Sequence, residues 1–371
     1  MDKTPYFPEK VFVTEDCKSL PLTQRVLERT QHLPVEFIAN QKELLEDILL
    51  SRDAVGEGKK RLLITKQKGG YVKPCPCTPR YIGCHYFIIN TELNCPLECS
   101  YCILQLYLEN PLITIHANTS RLYRQLDSFL HKNRNRLLRI GTGELGDSLA
   151  LDHLTDRSTE LISYFAGHPH AFLELKTKTV NIDNILATEP QDNIVIAWSL
   201  NTEKMAAEEE MGAPPVHHRI QAARLVSQEG YRVGFHFDPI ILHEGWEEGY
   251  REIIDHLLAR IDKRKIAWIS LGSLRFPPPL KPVIQRRFPQ TKIIYDEFIT
   301  GRDGKLRYPK TLRRHLYQLI TGDLRKAGGG EIPVYFCMES RDIWMDVQKK
   351  APRDKEEVEK LLTLPLGAKD I

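Results

Sequence analysis

The chain changes rhythm near residue 86. Beyond that point, short apolar runs alternate with longer segments of helical period. The runs Tyr86–Asn90, Leu137–Gly141, Phe172–Leu175, Ile194–Leu200, Tyr231–Phe237 and Ile266–Leu271 predict strands. The segments Ser120–Lys132, His153–Ala166, Val180–Leu186, Pro215–Glu229 and Tyr250–Ile261 predict helices between them. Continuously apolar strands separated by helices belong to parallel sheets covered on both faces. The pattern therefore predicts an α/β protein built on a partial (β/α)6 TIM barrel, with an open doubly wound sheet as the alternative.

Ahead of this repeat, residues 1–80 read as a small α/β region. Lys10–Val13, Val35–Ile38 and Arg61–Thr65 are its strands, and Leu22–Gln31 and Glu43–Arg52 its helices. Behind it, 81–280 forms the barrel core and 281–371 a C-terminal extension. The extension has a helix ending at Arg286-Arg287-Phe288-Pro289, a strand at Lys292–Tyr295, and a hairpin turning on Asp303-Gly304. A basic helix starts at Lys310.

The chain has 371 residues, 42% hydrophobic and 27% charged, a globular composition. No apolar run approaches the roughly 18 residues of a membrane helix. Met1-Asp2-Lys3-Thr4-Pro5 lacks the apolar core of a signal peptide. A cytoplasmic protein without a membrane partner is expected. A net charge of +3 does not by itself imply nucleic-acid binding, so any basic surface must be local.

Of the 8 cysteines, Cys75, Cys77, Cys84, Cys95, Cys99 and Cys102 crowd together, leaving Cys17 and Cys337 apart. Clustering favours metal over a disulfide framework. Cys95, Cys99 and Cys102 stand in a C-x3-C-x2-C pattern just after the first predicted barrel strand. Iron–sulfur clusters are held by thiolates, normally four for a 4Fe–4S cluster. Three cysteines leave one iron open, free to chelate the amino and carboxylate groups of S-adenosylmethionine (SAM). Cys75, Cys77 and Cys84 form a second group, a candidate iron–sulfur or zinc site with a fourth ligand from His85, Cys17 or Cys337. Ordinary thiols in a Pro-rich turn, Pro74–Pro79, are the alternative.

Polar residues recur where the barrel strands end, the place where such barrels do chemistry. The second strand runs into Gly141-Thr142-Gly143-Glu144, and Lys176 and Lys178 close the third. Ser199 and Asn201 end the fourth, His236 and Asp238 the fifth, and Arg275 follows the sixth.

The cysteine pattern, with Tyr101 before the third cysteine, resembles the radical SAM superfamily. From about Phe7 to Gln318 the chain resembles spore photoproduct lyases, radical SAM enzymes that reverse a UV-induced thymine–thymine lesion. The segment most specific for this runs from Ser199-Leu200-Asn201 through Pro239 to His243-Glu244-Gly245-Trp246-Glu247-Glu248-Gly249-Tyr250-Arg251.

The resemblance implies a 4Fe–4S cluster on Cys95, Cys99 and Cys102, with Lys178 and Ser199 holding the SAM carboxylate and Lys176 in reserve. Asn201 and Asp238 are expected beside the cofactor, and Tyr101 in radical relay. Gly141-Thr142-Gly143-Glu144 is similar to the glycine–glutamate motif that binds the methionine amino group in other radical SAM enzymes. DNA and an external electron donor of flavodoxin or ferredoxin type are the implied partners of a monomer. Arg275, Arg302, Lys305, Arg307 and Tyr308 are the expected nucleic-acid contacts, Tyr308 by stacking on a base.

Two positions depart from the lyase pattern. The lyases place a hydrogen-donating cysteine after the second strand, where this chain has Glu144-Leu145-Gly146-Asp147, which makes Glu144 and Asp147 candidate catalytic residues. A second tyrosine following the third cluster cysteine is replaced by Ile103. The expected activity is lyase-like repair of a damaged or modified pyrimidine in DNA. The alternatives are radical SAM chemistry on RNA or a small nucleoside, and a non-catalytic iron–sulfur nucleic-acid-binding protein.

Overall fold

The computed structural model describes residues 5–78, 80–363 and Leu366; the end of the tail and Pro79 of the Pro-rich turn lie outside them. Its centre is an eight-stranded sheet. The six expected barrel strands are Tyr86–Ile89, Leu138–Gly141, Ala171–Thr177, Ile194–Ser199, Arg232–Ile240 and Ile266–Ser273. They lie side by side in chain order and pair in parallel. Val334–Phe336 adds a parallel strand beside the sixth, and Val72–Pro74 closes the other edge antiparallel to the first. The curled, open sheet is a half-barrel, as the alternation of runs predicts.

Helices cover the sheet with one apolar stripe each. In Thr119–Lys132, Leu122, Leu126 and Leu130 repeat every fourth residue and are buried, one face of a 3.6-residue period. Fully buried Trp198 and Trp268 lie in the main core. The helix expected over His153–Ala166 is instead two, Asp152–Thr155 and Arg157–Ala166, broken at Asp156 with φ 51. Asp tolerates this left-handed conformation better than most residues. The Asp156 carboxylate there pairs with Arg29 at 2.8 Å and Arg25 at 3.5 Å.

A second sheet has the order Val35–Ile38, Lys10–Thr14, Arg61–Thr65, Ile113–His116, Glu92–Leu93. Its first three strands are those expected in the N-terminal region. The last two come from either side of the cysteine loop and pair with each other, so the loop is anchored at both ends in this sheet.

The C-terminal segment departs from expectation at Lys292–Tyr295. This stretch forms turns rather than a strand, and its buried Ile293 and Ile294 pack into the main core. The hairpin on Asp303-Gly304 is present: Ile299–Thr300 pairs with Leu306–Arg307, which pairs with Arg275–Phe276. Gly304 adopts φ 75 at the turn, a conformation open to glycine at no steric cost.

Candidate active site

A cavity of about 350 Å³ opens at the C-terminal ends of the barrel strands. The three cysteines of the C-x3-C-x2-C loop form one wall. The second-strand turn, Lys176, Lys178, Ser199, Asp238, Arg275, Lys305 and Met338 line it as well. So do Cys75 and Pro76.

The cysteine loop is held by many small constraints. Asn94, at φ 67, donates from its amide to Pro111 O at 2.6 Å, and its Oδ1 accepts from Cys95 N at 2.8 Å. Gln105 Nε2 donates to the carbonyls of Ser100 at 2.9 Å and Cys102 at 3.2 Å. Buried Lys59 donates to Leu97 O at 2.5 Å. Glu98–Cys99 pairs antiparallel with Glu210–Met211. Arg287 reaches in from the C-terminal extension, bonding Glu98 at 2.9 Å and the Gln105 side chain. Such cross-bracing holds a site in place before any ligand arrives.

All eight cysteines are free thiols. Burial pushes the Cys99 thiol up to about 12, against the pull of Lys178. Among the described residues, no group of three or more His, Cys, Asp or Glu side chains is gathered for a single metal ion. The three loop thiols line one cavity. Soft sulfur donors fit iron–sulfur chemistry.

Beneath the loop lies a charged network with no local sequence signal. Glu210 accepts from Tyr101 OH and pairs with Arg219 at 2.6 Å and Lys178 at 3.7 Å. Burial would raise its carboxyl, but Arg219, Lys178 and Tyr101 hold it at about 2. Arg219 is fully buried and also donates to Ser199 O at 3.0 Å. Tyr101 is thus tied to a carboxylate, and the Lys178 ammonium, 5.8 Å from the Tyr101 ring centre, stands between that carboxylate and the cavity.

Glu144 pairs with Lys176 at 2.5 Å, both on the cavity wall. Burial disfavours the Lys176 charge, yet Glu144 and Glu174 keep its ammonium above the ordinary lysine range. Gly143 permits this: a Cβ there would stand 2.8 Å from Lys176 O.

Several expected residues are buried structural parts. The Asp147 carboxylate lines the cavity but is saturated. It accepts from Leu149 N, Ala150 N, Thr177 Oγ1 and Lys178 N, at 2.6–3.0 Å. It positions the second and third strand ends. Asn201 is buried, accepting from Tyr250 OH at 2.7 Å and donating to Pro239 O at 3.3 Å. Thr142 donates to Ser148 Oγ at 2.7 Å, and Gly141 faces Tyr86 OH; neither lines the cavity. His236 is a satisfied core histidine, 2.8 Å from Glu174.

The expected nucleic-acid residues divide. Arg302 is exposed at the hairpin tip and Lys305 lines the cavity. Arg275 grips Asp238 with two bonds of 3.0 and 3.1 Å. The reading of Arg307 and Tyr308 as DNA contacts is overturned by burial. Arg307 is 1% exposed and paired with Asp303 at 2.6 Å. Tyr308 is fully buried, stacked on Phe298, and its OH accepts from Leu242 N. Arg307 ends the strand and Tyr308 lies just past it, and each is turned inward by its own partners, Asp303 for the one and Phe298 for the other. The basic helix, Lys310–Lys326, is also neutralised: Lys310 and Arg314 face Asp346, and Arg313 pairs with buried Glu339.

Of the second cysteine group, Cys75 lines this cavity, and Cys75 and Cys77 line a neighbouring one. Cys77 lies close to Gly83, where a Cβ would meet its sulfur at 2.9 Å. Cys337 accepts from Arg275 at 3.3 Å. Cys17 is buried away from this group in the N-terminal core, while His85 lines a cavity with Cys75 and Cys77 and is bonded to Arg136 and Glu359.

A half-barrel with three cysteines on the loop after its first strand, facing a polar cavity at the strand ends, defines a radical SAM-type enzyme. A model of the family described as "SPL: Spore photoproduct lyase" matches residues 6–321. The chain belongs to the spore photoproduct lyase family. It is 26% identical over 301 residues to the spore photoproduct lyase of Bacillus subtilis (strain 168), covering 80% of this chain and 86% of that protein. It is also 26% identical over 307 residues to the one from Geobacillus sp. (strain Y412MC61), covering 79% and 86%. Among solved structures, a mutant spore photoproduct lyase with a dinucleoside spore photoproduct superposes with a TM-score of 0.79 at 23% identity. That match covers 90% of this chain and 100% of the other. Family membership implies SAM and a 4Fe–4S cluster as cofactors. Among the described residues no helix is long and apolar enough to cross a membrane.

Proposed function

We propose that this enzyme repairs a spore photoproduct-type thymine lesion, or a closely related modified pyrimidine, in DNA. The observation that carries the reading is the convergence of three loop thiols, Lys178, Ser199 and the Glu144–Lys176 pair on one cavity at the strand ends. In this reading Cys95, Cys99 and Cys102 hold the cluster. When bound, cluster and SAM supply a 5′-deoxyadenosyl radical that takes a hydrogen atom from the substrate.

This chain's own residues hold charges and position groups. Lys178 and the Ser199 hydroxyl, both lining the cavity, hold the SAM carboxylate, a point-charge ammonium beside a neutral donor. Glu144 accepts from an ammonium beside its partner Lys176. Lys305 and Arg302 offer positive charge to phosphate. The Arg275–Asp238 pair walls the cavity. An external flavodoxin- or ferredoxin-type donor supplies electrons, and the chain acts as a monomer. The second cysteine group serves by thiol chemistry and not as a second metal site.

The test is anaerobic incubation of the reconstituted protein with SAM, dithionite and a dinucleotide spore photoproduct, with mass spectrometry of both products. Repaired thymine dinucleotide together with 5′-deoxyadenosine supports the reading. Deoxyadenosine without repair sinks the substrate assignment. The inward turn of Arg307 and Tyr308 favours one second reading, a short single-stranded or nucleoside substrate. Equal turnover of a dinucleotide and a lesion-bearing duplex would support it.

A further inference from the structure

We propose that Cys75 is the hydrogen-atom donor that quenches the substrate radical, the part that Glu144 cannot play. The proposal rests on the radical reading above. Abstracting a hydrogen atom leaves an odd electron on carbon, and a closed-shell product needs a hydrogen atom returned. A thiol S–H is weak enough to supply one; a carboxylic O–H is not, and Glu144 is committed to Lys176.

Four cysteines line the cavity: Cys75, Cys95, Cys99 and Cys102. The last three lose their hydrogens on ligating a cluster. Cys75 is the thiol left, and it lines the cavity together with Glu144, Asp238 and Lys305. Its backbone is set by the bond from Cys75 N to Tyr86 O at 2.8 Å, which pins it to the first barrel strand. The Tyr101 phenol is engaged by Glu210.

Cys75 also borders a second, outer cavity of about 320 Å³, which it shares with Cys77, Tyr81 and His85. One residue therefore faces the reaction on one side and an opening toward solvent on the other. Its side chain adjoins that of Cys77, and Cys77 N donates to Cys75 O at 2.6 Å.

In the step, the Cys75 S–H bond breaks homolytically as a C–H bond forms on the substrate carbon. The hydrogen carries one proton and one electron to the product and leaves a thiyl radical on Cys75. One electron from the external one-electron donor and one proton from water, entering by the outer cavity, restore the thiol.

A thiol hydrogen exchanges with solvent, so the experiment is run in D2O with dithionite and SAM, with and without the dinucleotide photoproduct. Wild type should place one solvent deuterium in the repaired dinucleotide and, without substrate, deuterium in 5′-deoxyadenosine. Cys75→Ser should lower repaired product and both deuterium signals at least tenfold, while 5′-deoxyadenosine still forms. Cys75→Ala should behave alike, and Cys17→Ala should match wild type. Unchanged deuterium in both Cys75 variants overturns the proposal. So does a second metal in wild type, by elemental analysis, that Cys75→Ser removes. If wild type repairs nothing, the lesion assignment fails by itself, and deuterium in 5′-deoxyadenosine still decides the role of Cys75.

Discussion

Two cysteine-rich turns open on the same cavity, and they are built differently. The loop 94–102 is tied from every side: Asn94 and Gln105 bond its backbone, Lys59 and Arg287 brace it, and a strand pair fastens Cys99 to Glu210. It lies over a lysine and a buried ion-pair network. The turn that carries Cys75 is held by its edge strand, by the bond to Tyr86 O, and farther along by Ile82 N to Glu339 O at 2.9 Å and Lys305 to Thr78 at 3.3 Å. Its surroundings are the Arg275–Asp238 pair and an outer cavity. The comparison teaches that cysteine spacing alone does not assign chemistry. A loop next to fixed cations suits a resident cluster, whereas a thiol that borders two cavities suits turnover.

The largest expected effect is on the braced side. Cys99→Ala should reduce 5′-deoxyadenosine formation at least a hundredfold and cut bound iron, read by product assay and elemental analysis. If a Cys99→Ala protein cleaves SAM normally, the division between the two turns collapses.

Next comes the network beneath. Glu210→Gln leaves Arg219 buried without its counter-charge, a change that costs on the order of 3–5 kcal/mol, measurable by denaturant unfolding. The sign of the pH dependence follows from its lowered carboxyl. A Glu held at about 2 against about 4.3 in the unfolded chain contributes stability that is full above the unfolded value. That stability is lost as pH falls from about 4.3 toward 2. The stability difference between wild type and Glu210→Gln should therefore shrink across that acid window. A difference that stays constant there would remove Glu210 from the account.

Glu144→Gln sharpens the comparison from between the turns. It keeps the shape but loses the charge paired with Lys176. SAM binding should weaken about tenfold, or roughly 1.4 kcal/mol, by equilibrium titration, with iron content unchanged. No change in affinity would confine Glu144 to holding Lys176.

The smallest effects concern the hairpin. Arg302→Ala should weaken DNA binding modestly and lower its salt slope by about one. Tyr308→Phe should leave DNA affinity alone and cost about 1 kcal/mol of stability through the lost bond to Leu242 N. A DNA-binding defect in Tyr308→Phe would restore the stacking role that burial denies.

The barrel strands, their order and the cluster loop were legible in the chain because each is a local pattern. Apolar runs between helical segments require a covered parallel sheet, and three thiols at close spacing need no distant partner to be recognised. The Lys176 and Lys178 pair could be read the same way, from strand alternation. The misreadings share one cause. Arg307 and Tyr308 look like binding residues on a basic hairpin, but which face of a two-residue strand turns inward depends on Arg275–Phe276 and Asp303. Lys292–Tyr295 has strand-like residues and no strand to pair with. Glu210, Arg219 and Arg287 were invisible, since their importance comes from charges that folding brings together from remote parts of the chain. Local patterns of polarity and spacing specify elements and chemistry-bearing motifs. Which carboxylate meets which cation, and which thiol faces the cavity, is decided only when packing removes water from between them.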